Sequence, residues 1–153
     1  MTQEQKSTNF ETQQHIMKVQ AFMNEIVSKL LTRASNHDKS KLENPELDIF
    51  VEHTKNLANL TYGSNEYNEY LQNLKPALQH HYANNNHHPE HHKNGIIDMT
   101  LLDMIEMFVD WKAASLRHNN GNIKKSIEIN GTRFDMNQQL VKIFENTVKE
   151  MSW

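Results

Sequence analysis

The chain has 153 residues, 37% of them apolar and 8% aromatic, enough for one lean core and one ordinary domain. It contains no cysteine, which excludes disulfides, thiolate metal sites and cysteine nucleophiles and points to a cytoplasmic address. Lys and Arg number 16 against 19 Asp and Glu with no basic block, no apolar run approaches a membrane span, and residues 1–10 lack a secretory-signal pattern. Neither a stable nucleic-acid partner nor a membrane is therefore expected.

Glycine and proline are sparse, and Val and Ile never alternate over a strand length, so helical templates fit best. From about Glu11 to Ser35, His15, Val19, Phe22 and Ile26 fall within about 60° of one another on a helical wheel. Met23, Leu30 and Leu31 widen that stripe, and Asn36-His37-Asp38 ends it. A second helix is expected from about Pro45 to Leu60, with Pro45 in the first turn. Tyr62-Gly63-Ser64-Asn65 reads as a turn, and a third helix follows from about Glu66 to Ala83, bent or restarted at Pro76. Asn84 to His92 forms a loop with a short turn. Thr100 and Asp103 start a capped helix that reaches Leu116 or Arg117, and Asn119-Asn120-Gly121 stops it.

An irregular piece around Ile127–Phe134 precedes a C-terminal amphipathic helix at about Gln138–Met151, which packs on the bundle or makes a homodimer contact. The eight methionines read as core filler, and Trp111 and Phe108 as walls of a pocket. The expected architecture is all-α: a single-domain helical bundle over 1–153, with a metal-site core at about 11–117 and a C-terminal extension at about 118–153.

Ten histidines stand out, six of them between His80 and His92. His15 sits within an apolar helical face, as a satisfied core histidine or a ligand. His37-Asp38 are adjacent at a helix end, where Asp38 alone would read as a cap. His80-His81, His87-His88 and His91-His92 form either a metal site or a polar patch. On the helix from Leu101, Asp103, Glu106 and Asp110 share one face while nearly all other positions are apolar. Such a helix is usually buried, and buried carboxylates need cations. No Lys or Arg surplus stands at matching positions, so a metal ion ringed by histidines is the economical partner; Asp103 alone reads better as a cap.

The order His, His-Asp, histidine-rich segment and buried Asp resembles the HD-domain superfamily of metal-dependent phosphohydrolases, which are all-helical. The resemblance covers about residues 15–117 and places His15, His37, Asp38 and Asp110 in the superfamily's first metal site. His37-Asp38-Lys39-Ser40-Lys41 is similar to the H-D-x-G-K motif, with Ser40 in place of the glycine. Closer still, the chain resembles a bacterial and phage family without an established reaction. That family carries H-D-x-S-K, H-H-x-x-x-N-x-H-H and E-M-x-x-D-W, here His37–Lys41, His80–His88 with Asn85, and Glu106–Trp111. No G-Y-P follows the histidine pairs, so the cyclic-dinucleotide phosphodiesterase type is not supported.

The resemblance implies one or two divalent transition ions (Mn, Fe, Co, Ni or Zn), which imidazoles and carboxylates suit. Asp38 would bridge two ions, and His80 or His81 with His87 or His88 would hold the second. Water acidified by the metal would attack phosphorus, with Glu106 or a nearby histidine moving the proton. Lys41, Asn85 and Arg117 are candidate substrate contacts, Arg117 as a bidentate partner of phosphate. The expected substrate is a small phosphorylated molecule such as a nucleotide. Two alternatives stand beside the hydrolase: a diiron oxygenase on the same scaffold, and a non-catalytic metal- or nucleotide-binding protein.

Overall fold

The structure is a computed structural model that describes the backbone of residues 1–57, 65–117 and 121–153, with side chains given outside 53–73. Every regular element among the described residues is helical. The chain divides into two compact units, Met1–Asn36 and His37–Trp153.

The first unit is one helix, α1 (Gln3–Asn36). It begins well before the expected Glu11 because Thr2 and Gln5 cap each other. The Gln5 amide donates to Thr2 Oγ1 at 3.2 Å, and the Thr2 amide donates to Gln5 Oε1 at 2.8 Å. Within this unit Met17, Phe22 and Met23 are well exposed.

In the second unit, a 3-10 turn (Lys39–Leu42) leads into α2 (Glu46–Leu57), which packs against α3 (Asn65–Asn84). Of the turn expected at Tyr62–Asn65, Tyr62, Gly63 and Ser64 lie outside the described residues, as do His118, Asn119 and Asn120. Helix α3 runs on through Pro76 without a restart, and Leu74 and Ala77 on either side of the proline are buried. That packing outweighs the one backbone hydrogen bond proline removes. Two 3-10 turns, Pro89–His91 and Gly95–Asp98, then lead to α4 (Leu101–Ser115), α5 (Ile123–Arg133) and α6 (Gln138–Glu150).

Helix α4 starts at the expected capping box. Thr100 Oγ1 accepts the Asp103 amide at 3.2 Å, and Asp103 Oδ2 accepts the Thr100 amide at 2.8 Å. The segment read as irregular around Ile127 is instead α5. Asn122 caps its Lys124 amide, and burial of Ile123 and Ile127, one turn apart, overrides the weak helix propensity of β-branched residues. Asn137 caps α6, which buries Phe144 and Val148 at the same spacing.

The core joins Met99, Met107 and Phe108 to Ile123, Ile127, Phe144 and Val148. The last two helices therefore supply four of these seven residues. Phe108 stacks on Phe144 with centroids 4.9 Å apart, and Trp111 meets the Phe144 edge at 5.8 Å. Phe108 thus belongs to this core and Trp111 packs against it. Helix α4 is two-sided, packing apolar side chains there and carrying Glu106 and Asp110 on another face.

Candidate metal centre

His37 and Asp38 follow α1 directly, and Asp38 takes a left-handed backbone conformation with φ of 56°. Aspartate tolerates that region better than most residues. The sharp turn brings two adjacent side chains together, with His37 Nε2 3.5 Å from Asp38 Oδ2. The 3-10 turn then lets Lys41 Nζ reach Asp38 Oδ2 at 2.6 Å.

The histidine-rich segment sorts by position. Helix α3 ends at Asn84, where carbonyls lack intrahelical donors. Asn84 Nδ2 donates to the His80 carbonyl and Asn85 Nδ2 to the His81 carbonyl, each at 2.8 Å. Beyond it, His91 Nδ1 donates to the Tyr82 carbonyl and His92 Nε2 to the Asn86 carbonyl, each at 2.8 Å. These bonds fold the loop back so that His87 and His88 stand beside His81, with His81 Nε2 and His88 Nε2 2.9 Å apart.

Among the described residues, two groupings of side chains are close enough together to hold a metal ion: Asp38, His81, His87 and His88, and His37, His87 and Asp110. They share His87, and both are drawn entirely from the second unit. Asp38 Oδ1 lies 3.4 Å from His81 Nε2 and 3.5 Å from His87 Nε2, while His37 Nε2 is 3.6 Å from Asp110 Oδ1. Asp38 Oδ1 and His87 Nε2 are buried without a hydrogen-bond partner among the described residues. Imidazole nitrogens and carboxylate oxygens around such atoms fit a borderline divalent ion.

Behind this ring stand two carboxylates. Glu106 Oε1 accepts from His37 Nδ1 at 3.0 Å and lies 3.3 Å from His87 Nδ1. Glu46, at the start of α2, accepts from His80 Nδ1 on Oε1 at 2.7 Å and from His81 Nδ1 on Oε2 at 3.0 Å. Glu46 was not expected in the site, because in sequence it reads as an ordinary first-turn acid next to Pro45; only its complete burial sets it apart.

The electrostatics follow from the packing. The Asp110 carboxylate, joined by the Glu106 hydrogen bond and the nearby negative charges, outweighs burial and raises His37 to about 9. Burial, reinforced by the positive charges of His87 and His81, lowers His88 to about 3. Burial also lowers His81 and His87. Burial opposes ionisation of Asp38, but the Lys41 hydrogen bond and charge, with His37 and His81, hold its carboxyl below the usual range. Asp110 is likewise lowered against the effect of burial, by His37.

His80 is outside both groupings: Nδ1 is held by Glu46, and Nε2 lies 3.3 Å from Asn84 Nδ2. Asn85 is buried and spends its amide on the His81 carbonyl and on Ser40 Oγ at 2.7 Å, a holding role and not an open substrate contact. Arg117 is exposed in the turn after α4. His15 lies on α1, where it is exposed. Asp103 is the cap of its own helix.

Fold and site thus define an all-helical protein with a buried histidine–carboxylate cluster close enough to hold a metal ion. The chain belongs to DUF5662, a family of unknown function, which it matches over residues 4–150. No curated protein and no solved structure matches it. No helix among the described residues is long and apolar enough to cross a membrane.

Proposed function

We propose that this protein is a metal-dependent phosphohydrolase of the HD type, acting on a nucleotide or another small phosphate ester. The observation that carries the reading is the pair of buried, unpartnered atoms Asp38 Oδ1 and His87 Nε2, 3.5 Å apart within a ring of imidazoles. Unsatisfied buried polar groups cost about 1–3 kcal/mol each, which a shared cation would offset. Asp38, His81, His87 and His88 would hold one ion; His37 and Asp110 would serve a second, or with His87 an alternative position for the first. Asp38 would serve either position, its Oδ1 facing His81 and His87 and its Oδ2 facing His37.

When bound, such an ion acidifies a water ligand and polarises a phosphoryl oxygen. Lys41, already at Asp38, offers a substrate phosphate a point charge. Glu106 holds the Nδ1 proton of His37 and so orients the ring, while giving the site an internal proton acceptor.

The test is the untagged protein: metals by elemental analysis, then phosphate release from a nucleotide panel with added Mn. Asp38→Ala should lose most bound metal and all phosphate release. If that variant keeps full metal content and activity, the site is wrongly assigned. Bound iron with oxygen consumption and no phosphate release would favour the diiron oxygenase instead. Metal without turnover, and ligand recovered intact after denaturation, would favour the binding protein.

A further inference from the structure

Glu46 is 0% exposed, and its carboxylate is surrounded by donors. His80 Nδ1 donates to one oxygen at 2.7 Å, and His81 Nδ1 to the other at 3.0 Å. Ser40 Oγ and Asn85 Nδ2 lie 3.2 and 3.1 Å from the same His81 Nδ1. The Ser40 hydroxyl oxygen accepts from Asn85 Nδ2 at 2.7 Å. Asn85 cannot turn its amide over, since Nδ2 must also donate to the His81 carbonyl at 2.8 Å. Asn85 thus donates to Ser40, and the Glu46 carboxylate, which can only accept, takes a hydrogen bond from both imidazoles.

That direction decides the tautomers. An ionised carboxylate only accepts, so in neutral His81 the proton is on Nδ1 and Nε2 carries a lone pair. His81 Nε2 is the atom that lies 3.4 Å from Asp38 Oδ1 and 2.9 Å from His88 Nε2. The same holds for His80, whose Nε2 lies within 3.3 Å of the Asn84 amide nitrogen. A buried carboxylate with imidazoles as its counter-groups is a poor device for stability, since apolar residues of similar volume serve as well or better. It is a good device for aiming a ligand atom.

We infer that Glu46, backed by Ser40 and Asn85, is the positioning residue that presets His81 with its Nε2 lone pair directed at the Asp38 grouping before any ion arrives. The inference rests on the proposed metal centre for its purpose, but its structural content concerns the metal-free chain. It also accounts for the serine and asparagine of the H-D-x-S-K and H-H-x-x-x-N motifs, which the proposed reaction leaves without a task.

The experiment uses the full-length, metal-stripped protein. Long-range nitrogen–proton NMR correlations, with His81→Gln as the assignment control, should show His81 as the Nδ1–H tautomer. Observing Nε2–H there would overturn the inference whether or not the protein binds metal. Zinc titration of Glu46→Gln should then show affinity weakened about 10–100-fold, together with loss of the single His81 tautomer. The carboxamide introduced by that substitution presents an N–H to one of the two imidazoles and cannot accept from both. Glu46→Gln with wild-type zinc affinity and an unchanged tautomer would overturn the inference. If the wild type itself binds no zinc while His81 is Nδ1–H, the metal centre fails and the tautomer assignment stands.

Discussion

In the metal-free protein His37 carries a proton on each ring nitrogen up to about pH 9, held chiefly by Asp110. Serving as a metal ligand requires one of those protons to leave. At pH 7 the gap to about 9 corresponds to about 3 kcal/mol at ~1.4 kcal/mol per pH unit. His37 is 28% exposed, so solvent screening trims this, and apparent affinity at pH 7 should sit about 10–100-fold below its alkaline limit. Calorimetric titration of Zn or Mn in buffers of different ionisation enthalpy counts the protons. We expect about one proton released per occupied His37 near pH 7, and affinity that climbs from pH 6.5 to 8.5. Glu106→Gln removes one of the groups that raise His37, so it should reduce both the proton release and the slope. Proton-neutral binding with flat affinity over that range would refute the reasoning. The same shift carries a stability term. With a folded value above the unfolded one, protonated His37 stabilises the metal-free fold fully below about pH 6.5, and that contribution is lost as pH rises through about 9.

His88 has the opposite sign. Its folded value of about 3 lies below the unfolded one, so the unfolded chain takes up more protons as pH falls below about 6.5. Denaturant titrations of metal-free protein should show this group alone removing up to about 2 kcal/mol by pH 5, and His88→Gln should make the fall shallower. Thr100→Ala breaks the α4 capping box and should lower stability by about 1 kcal/mol, read as a shifted urea midpoint with metal content unchanged. Phe144→Ala removes a side chain stacked on Phe108 and edge-on to Trp111, and should cost about 3–5 kcal/mol by the same titration. Lys41→Met removes the charge paired with Asp38 Oδ2, and phosphate release should fall by at least about tenfold while elemental analysis still finds metal.

Sequence alone settled what is local. Apolar spacing established an all-helical chain, Thr100 and Asp103 marked the start of α4, and the helical wheel put Glu106 and Asp110 on one face. The adjacency of His37 and Asp38 and the density of histidines after His80 marked the chemistry. What the tertiary structure decided depends on contacts between residues far apart in the chain. His81 faces inward while His80 faces Glu46 across 34 positions, and no periodicity distinguishes two neighbours until the partner helix is in place. His87 and His88 join the cluster, whereas His91 and His92 are consumed by backbone carbonyls, because a loop's side-chain directions follow from where its backbone is fastened. Ile123 and Ile127 form a helix only because burial rewards it. A buried glutamate, finally, has the same letter as an exposed one; only the packed fold shows that Glu46 has lost its water and must be satisfied by imidazoles.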